Sequence, residues 1–185
     1  QGRALREQWT QGQLDPAAWQ AWWQSLPGPW NWADASYWVQ GQAGGELYYN
    51  PERDTAGHAY RAEPVQPLRL GVLGPTRLRL RVRPLLAPDN GQGLDGWLET
   101  RDGNRLQVHP LTNIRPAEGL TLASEPAKPL GREVIQELQI SPGWHQIQVG
   151  AGDLTLAIQV DEWQPLMPLN VLPPPRPRTW TATSP

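Results

Sequence analysis

Apolar and polar residues alternate along much of the chain between residues 46 and 163. Leu78, Leu80 and Val82 give the clearest example, because each is separated from the next by one arginine. A period of two is typical of β-strands that bury one face and expose the other. This region is therefore predicted to consist of β-strands.

Turn signals divide the same region into short strands. Asp102-Gly103 separates two alternating runs and is a strong hairpin signal. Further turns are expected at 141–143, after a strand over 133–140, and at 150–153. We predict nine or ten strands in antiparallel sheets, which gives a mainly β fold, an antiparallel β-sandwich of the jelly-roll type.

A helical stripe of apolar residues precedes the strands. It contains Trp19, Trp22, Trp23 and Leu26. Asp15-Pro16 supplies a capping side chain and a proline suited to the first helical position, and a shorter helix is expected over 3–11. Burying three tryptophans would contribute on the order of 10–15 kcal/mol, so we expect this helix to pack on the protein's own sandwich. Docking on a partner protein is the alternative, while the absence of Lys or Arg within the stripe disfavours a membrane surface.

The stretch after the helix combines aromatic rings with short polar side chains. Its candidate ligand-binding residues are Trp30, Asn31, Trp32, Asp34 and Trp38. Aromatic rings can stack on the C–H faces of sugars, and Asn and Asp can hydrogen-bond hydroxyl groups. The same side chains could instead pin an irregular loop to the sheet. We expect 30–32 to be irregular and 36–40 to be a strand that turns through 41–45 into the strand 46–50.

A row of arginines projects from one face of the strand that holds Leu78. The row contains Arg77, Arg79, Arg81 and Arg83. Alternate residues lie about 7 Å apart, where like charges in water repel by only about 0.6 kcal/mol. The simplest interpretation is a solvated row that blocks aggregation and pairs across strands with Glu99, Glu133 and Glu137. An acidic glycan, a phosphate or an acidic protein is the alternative partner of this face.

Composition narrows the classes of function. The chain of 185 residues has 21 prolines, 18 glycines, no cysteine and a formal charge of −2. The charge gives no strong field for nucleic acid, the lack of cysteine excludes disulfides and thiolate chemistry, and no apolar run is long enough to span a membrane. A start at Gln1 without methionine is compatible with an exported protein, so a periplasmic or secreted location is expected.

The three zones are predicted to have separate roles. Residues 1–45 form the Trp-rich helical extension, residues 46–163 the sandwich, and residues 164–185 a proline-rich strap or linker.

Motifs of catalysis and metal binding are not found. His58, His109 and His145 lie far apart in the sequence, and the Asp/Asn/Gly-rich stretch 89–96 fits a turn-rich loop better than a calcium site. The sequence contains no nucleophile elbow, phosphate loop or helical zinc motif. We predict a protein without enzymatic activity, metal or cofactor.

A family resemblance rests on the last strands. Gly143-Trp144-His145 is followed by alternating apolar residues up to Val160, and Gly96-Trp97-Leu98 leads into the predicted hairpin. Over 46–163 the chain resembles the galactose-binding-like jelly rolls of carbohydrate-binding modules. The resemblance implies a fold and transfers no binding residue.

Two functions follow from these observations. The first is a non-catalytic, extracytoplasmic interaction or scaffold module of a bacterial envelope or secreted assembly, with a protein partner or neighbouring domain. The alternative is a carbohydrate-binding module that stacks exposed tryptophans on a polysaccharide.

Overall fold

A computed structural model describes residues 15–165 apart from 27, 43–44, 51–54 and 89–92, together with Gln8 and Gln13. The side chains of Trp19, Trp23 and Thr55 also lie outside the described part. So do the shorter helix predicted over 3–11, except for Gln8, and the proline-rich segment beyond Pro165.

The secondary structure is dominated by strands. One α-helix, α1, spans Pro16–Ser25 and a 3-10 helix spans Ser36–Trp38. The strands are β1 (Trp30–Asp34), β2 (Val39–Gln40), β3 (Glu46–Asn50), β4 (Thr55–Ala62), β5 (Leu68–Pro84), β6 (Leu94–Asp102), β7 (Arg105–Ile114), β8 (Pro116–Leu122), β9 (Glu125–Gly131), β10 (Val134–Gly150) and β11 (Leu156–Pro165).

Within the described residues the strands form one curled antiparallel sheet, in the order β7-β6-β10-β5-β11-β4-β3-β8-β9, with β1 paired to β11 and β2 to β5. Both faces of β11 are packed, because Ile158 and Val160 enter a large core while Ala157 enters a second core with Tyr48 and Leu122. Side chains that alternate along β11 thus pack into two apolar layers, one on each side of the strand. The predicted mainly β, sandwich-like fold is confirmed.

Strands β5 and β10 form the long central ribbon of the sheet. Leu78, Leu80 and Val82 are fully buried, as their alternation predicts. The turn predicted at 141–143 is wrong, because β10 continues through it as one strand of 17 residues. Both halves of β10 pair with β5, and the one extra residue of β10 is absorbed as an irregularity between Ile140 and Gly143.

The segment after the helix differs from its prediction. Residues 30–34, expected to begin irregularly, form β1 and pair with the end of β11, Trp32 lying opposite Trp163. Residues 36–38 form the 3-10 helix instead of a strand, and Asp34 accepts hydrogen bonds from both the N–H and the hydroxyl of Ser36 at its start. Strand β2 pairs with β5 and β3 pairs with β4 and β8, so the expected hairpin through 41–45 does not form. The division of the chain at residues 45 and 163 stays a prediction.

Helix α1 packs on the sheet through part of its apolar stripe. The carboxylate of Asp15 accepts a hydrogen bond of 3.0 Å from the N–H of Ala17, which caps the helix. Trp22 and Leu26 pack against the large core. These two side chains are thus partly buried on the protein's own body. The side chains of Trp19 and Trp23 lie outside the described part, so packing of the whole stripe stays a prediction.

A buried carboxylate joins the N-terminal segment to the sheet. Glu162 on β11 is 2% exposed and accepts hydrogen bonds from Tyr37 Oη, from Trp38 Nε1 at 3.1 Å and from Thr76 Oγ1 at 2.5 Å. Burial raises the pKa of Glu162, and the three hydrogen bonds oppose that rise. Burial and the nearby Glu162 also raise the pKa of Tyr37 well above its ordinary value, so Tyr37 remains a donor. These contacts fix the 3-10 helix over β11 and β5.

Replacing Glu162 by leucine is expected to lower the free energy of unfolding by about 2–5 kcal/mol, because Tyr37, Trp38 and Thr76 would keep buried donors without an acceptor. Glu162→Gln keeps one acceptor oxygen and should cost less. Equilibrium urea unfolding of both variants measures the difference; equal losses would contradict this role of the acceptor.

The same residue predicts a dependence of stability on pH. The pKa of Glu162 is higher in the folded state than in the unfolded chain, so protonation of this group stabilises the fold. This stabilisation is fully present below the ordinary glutamate pKa and is lost as pH rises through the folded-state pKa. The difference in unfolding free energy between wild type and Glu162→Gln should therefore change with pH over this interval. Parallel pH profiles of the two proteins would contradict the prediction.

Gly74 on β5 allows the close approach of β10. A Cβ at this position would overlap the carbonyl oxygen of Ser141, which is backbone and cannot move aside cheaply. We expect Gly74→Ala to lower the free energy of unfolding by about 2–4 kcal/mol. Gly150→Ala on β10 is the control, because its new methyl group meets Pro67 at an ordinary 3.5 Å. Thermal unfolding of both variants tests the expectation, and similar losses would refute it.

Candidate functional site

Two groups of residues that are distant in the sequence meet on the outer surface of the sheet. Trp32 on β1 and Trp163 on β11 contact each other edge to face, with ring centroids 5.3 Å apart and planes at 61°. Arg77 and Arg79 reach this pair from β5. We call Trp32, Trp163, Arg77 and Arg79 the Trp–Arg face.

The strand register creates this arrangement. Trp32 lies opposite Trp163 in the β1–β11 pair, and Asp161 lies opposite Arg79 in the β11–β5 pair. Side chains two residues apart project from the same side of a strand. The aromatic pair and the arginines therefore share one side of three neighbouring strands.

The arginines are held against the rings. Arg79 Cζ lies 4.0 Å from the Trp32 ring centroid, and Arg77 Cζ lies 5.4 Å from that of Trp32 and 5.6 Å from that of Trp163. These distances are those of cation–π contacts. The buried Nε of Arg79 has no hydrogen-bond partner among the described residues, consistent with a guanidinium that lies against the ring.

Carboxylates balance the arginine row. Glu137 pairs with Arg77 at 2.9 Å and with Arg79 at 3.6 Å. Glu133 pairs with Arg81 at 2.9 Å and with Arg83 at 3.1 Å. The predicted cross-strand pairing with Glu133 and Glu137 is thus confirmed, whereas the carboxylate of Glu99 accepts a hydrogen bond from Trp97 Nε1 at 2.9 Å.

Two further carboxylates border the Trp–Arg face. The register places Glu137, Arg79, Asp161 and Asp34 in one row across four strands. Burial raises the pKa of Asp161, while Arg81 and Arg79 oppose the rise. Four arginines therefore face four carboxylates over β10, β5, β11 and β1, which leaves little uncompensated positive charge for an anionic partner.

The predicted ligand-binding residues do not share one surface. Trp32 and the exposed Asp34 lie on the outer side of β1, while Trp30 packs against the large core. Trp30 has the same parity as Trp32 but lies at the end of β1. Asn31 shares its side of the strand with Ala33, which lies opposite the buried Glu162, and so points away from the side of Trp32. Trp38 is buried and donates to Glu162, so it cannot act as a stacking platform for a ligand. The structure corrects the candidate set by removing Trp38.

Sequence reasoning missed Trp163. Ile158 and Val160 point into the core, and the inward position that follows is occupied by the charged Glu162, which interrupts the apolar pattern. Continued counting by two from Val160 would have placed Glu162 inside and Trp163 outside. The pairing of β1 with β11 carries no local signal, because it joins residues more than a hundred positions apart.

A serine, a histidine and an aspartate meet at the irregularity of β10. His145 Nδ1 lies 2.6 Å from the carboxylate of Asp102, and Nε2 lies 3.3 Å from Ser141 Oγ. The order resembles that of a serine nucleophile and its base. However, Nε2 is closer, at 3.0 Å, to the Ser141 carbonyl oxygen, which can only accept a hydrogen bond. The nitrogen that would remove the serine proton is therefore directed at an acceptor, and the arrangement ties β10 to β6.

A polar cleft of about 330 Å³ lies at the other end of β11 from Trp163. It is lined by Gln42, Gly45, Glu46, Arg61, Glu63 and Gln66. Arg61 is bound to Glu46 at 3.1 Å and to Glu125 at 2.5 Å, and the side chain of Gln42 bonds both backbone groups of Arg61. The guanidinium donors are used internally, so this network joins β3, β4 and β9.

Over the described ranges, no group of three or more His, Asp or Glu side chains could hold a metal ion. No helix among these residues has the length and apolarity needed to cross a bilayer. Residues 89–92 of the turn-rich loop lie outside the description.

Comparisons with known proteins give weak structural likenesses. No family model matches the sequence, and no curated protein matches it. The structure is similar to a carbohydrate-binding module of the Cellvibrio mixtus lichenase 5A solved with cellotriose, at 12% identity and a TM-score of 0.37, over 72% of this chain and 96% of that one. It is also similar to the C-terminal carbohydrate-binding module of the laminarinase LamC from Zobellia galactanivorans, at 10% identity and a TM-score of 0.34, over 74% and 100% of the two chains.

A catalytic domain is matched as well. The Agl-KA catalytic domain shares 17% identity and a TM-score of 0.39, over 80% of this chain and 27% of that one. The weak resemblance to carbohydrate-binding modules predicted from the sequence is thus found again among solved structures. Scores below 0.5 give no basis for transferring a ligand, an activity or a binding residue.

The contact between Arg79 and Trp32 can be measured by a double-mutant cycle. Trp32→Ala, Arg79→Ala and the double variant should give a coupling free energy of about 0.5–2 kcal/mol in equilibrium unfolding. A second cycle of Trp32 with Arg81, which is paired with Glu133, is the control and should give a coupling near zero. Equal coupling in both cycles would contradict a specific Arg79–Trp32 contact.

Proposed function

We propose that this chain is a non-catalytic module that binds a neutral polysaccharide through the Trp–Arg face. The observation that carries the proposal is the convergence of two tryptophans, two arginines and bordering carboxylates on one side of the sheet. A rigid sheet supports them, as a preorganised binding surface requires.

The chemistry of the face suits a sugar. A tryptophan ring has a negative π-face, which attracts the weakly positive C–H groups of a pyranose ring, and a large apolar area. Arg77 can donate hydrogen bonds to hydroxyl oxygens, and Asp34 can accept them from hydroxyl groups. Both side chains are exposed beside the rings. Both rings are half-buried and Arg79 lies over Trp32, so the exposed remainder of the pair and these polar groups would offer apolar contact and two-way hydrogen bonding on one surface.

The charge of the face favours a neutral ligand. Glu133 and Glu137 form ion pairs with the arginines. Asp34 and Asp161 lie in the same cross-strand row as Arg79. An acidic glycan or a phosphate would have to compete with these carboxylates for the arginines.

A role without catalysis agrees with the geometry of His145. Its Nε2 is directed at the Ser141 carbonyl oxygen, so the nearby hydroxyl has no free base. The contact of His145 with Asp102 connects β10 to β6, which is a structural role.

A specific observation also favours the interaction module as a second candidate. The β6–β7 hairpin exposes Trp97, Leu106 and Val108, and exposed apolar side chains in a group are typical of contact surfaces. Such a module would serve an envelope or secreted assembly, with a periplasmic or secreted location in either case.

Affinity gel electrophoresis tests polysaccharide binding. Gels containing neutral β-glucan, xylan or mannan should retard the wild-type protein, and Trp32→Ala and Trp163→Ala should weaken binding about tenfold or more. Trp97→Ala is the matched control, because this tryptophan is 45% exposed on β6 and should bind within about twofold of wild type.

The outcomes separate the candidates. No retardation in any neutral gel would overturn the proposal, as would equal losses for Trp32→Ala and Trp97→Ala. Retardation by polygalacturonate alone, abolished by Arg77→Gln, would replace the neutral ligand with an acidic one. Thermal unfolding of each variant confirms that it is folded under the conditions of the gel.

A further inference from the structure

Strand β7 ends the sheet with an open edge. It pairs with β6 on one side, and no described strand pairs with its other side. Its first four residues are exposed, including Leu106 at 47% and Val108 at 55%. An exposed edge that carries apolar side chains is a template for pairing with another strand.

The opposite end of the sheet is protected against such pairing. Strand β9 contains Pro126, Lys128 and Pro129. Proline removes backbone donors, and lysine opposes the burial of an edge. From Arg105 to His109, β7 has neither residue type. The two ends of the sheet therefore differ in their capacity to pair.

The hairpin determines which backbone groups of β7 face outward. Asp102 and Arg105 lie opposite each other across a two-residue loop, so this pair is hydrogen-bonded and the pattern then alternates. The N–H and C=O groups of Leu106 and Val108 consequently point away from β6. The backbone nitrogen of Pro110 also points away from β6, so its lack of an N–H removes no hydrogen bond between β7 and β6.

A second copy of the chain fits this edge by its own symmetry. When two β7 strands run antiparallel with Gln107 on the two-fold axis, Leu106 of one copy lies opposite Val108 of the other. Both residues direct N–H and C=O outward, so four backbone hydrogen bonds form across the edge. The same surface serves both copies, as a two-fold interface requires.

The side chains are complementary in this register. Within the hairpin, Arg101 lies opposite Leu106 and Glu99 lies opposite Val108. Across the joined sheets, Leu106 of one copy and Val108 of the other would form the centre of each row. Arg101 of the first copy would lie at one end of that row, and Glu99 of the second copy at the other end. Like charges never occupy the same row.

We infer that the chain self-associates through the open edge of β7, as an antiparallel pair centred on Gln107. A second copy of this chain is the occupant, because the backbone groups, the apolar side chains and the charges all match under one two-fold rotation. The contact involves only a few residues of each copy, so it is a concentration-dependent equilibrium and not a permanent dimer.

Sedimentation velocity over a concentration series tests the inference. The weight-average mass of the wild type should rise towards twice the monomer mass, whereas Val108→Lys should remain monomeric. Val65→Lys is the matched control, because Val65 is 92% exposed in the turn after β4 and receives the same substitution and charge; it should associate like the wild type. A wild type that stays monomeric at millimolar concentration, or association that Val108→Lys leaves unchanged, overturns the inference.

A crosslinking experiment tests the register independently. The chain has no cysteine, so Gln107→Cys introduces a single thiol at the proposed axis. The two Cα atoms would lie about 4.5 Å apart, within the range of a disulfide. Mild oxidation should give a disulfide dimer from Gln107→Cys much faster than from Val65→Cys at equal concentration. Equal rates would refute the register.

Discussion

The carboxylate of Glu162 is the constraint on which the N-terminal part of the structure depends. A buried carboxyl group requires hydrogen-bond partners, and here they come from Tyr37, Trp38 and Thr76 on two separate segments of chain. Meeting that requirement holds the 3-10 helix over the sheet and brings β1 alongside β11. The neighbouring residue of Glu162 is Trp163, so a polar contact inside the protein fixes an aromatic contact on its surface.

The outer side of the sheet shows how alternation combines with long-range pairing. Strand β5 buries its leucines and presents its arginines, and the strands beside it contribute carboxylates on one side and tryptophans on the other. Each arginine thus has a charged partner or a ring within reach. The arginine row is strongly basic in the sequence but close to neutral in the folded sheet. The ligand that it favours is therefore neutral instead of acidic.

The sequence could predict what depends on local pattern. Burial of Leu78, Leu80 and Val82, the hairpin at Asp102-Gly103 and the Asp15 cap all follow from short-range rules. It could not predict β1, because that strand is stabilised by a partner at the far end of the chain. It also gave a false turn at 141–143, where proline and glycine mark a bulge that only the pairing with β5 explains. The candidate site joins β1, β5 and β11, so its composition required the fold.

The pairing of β1 with β11 has a mechanical consequence. Trp30 lies opposite Pro165, so the chain enters and leaves this pair of strands at the same end. Tension applied along the chain on both sides of the domain would act across this first pair, at right angles to the strands, once helix α1 had been pulled from the sheet. The hydrogen bonds would then break one pair at a time instead of resisting together in shear. The strand that carries Trp32 is therefore the part of the sheet that yields first to a pulling force.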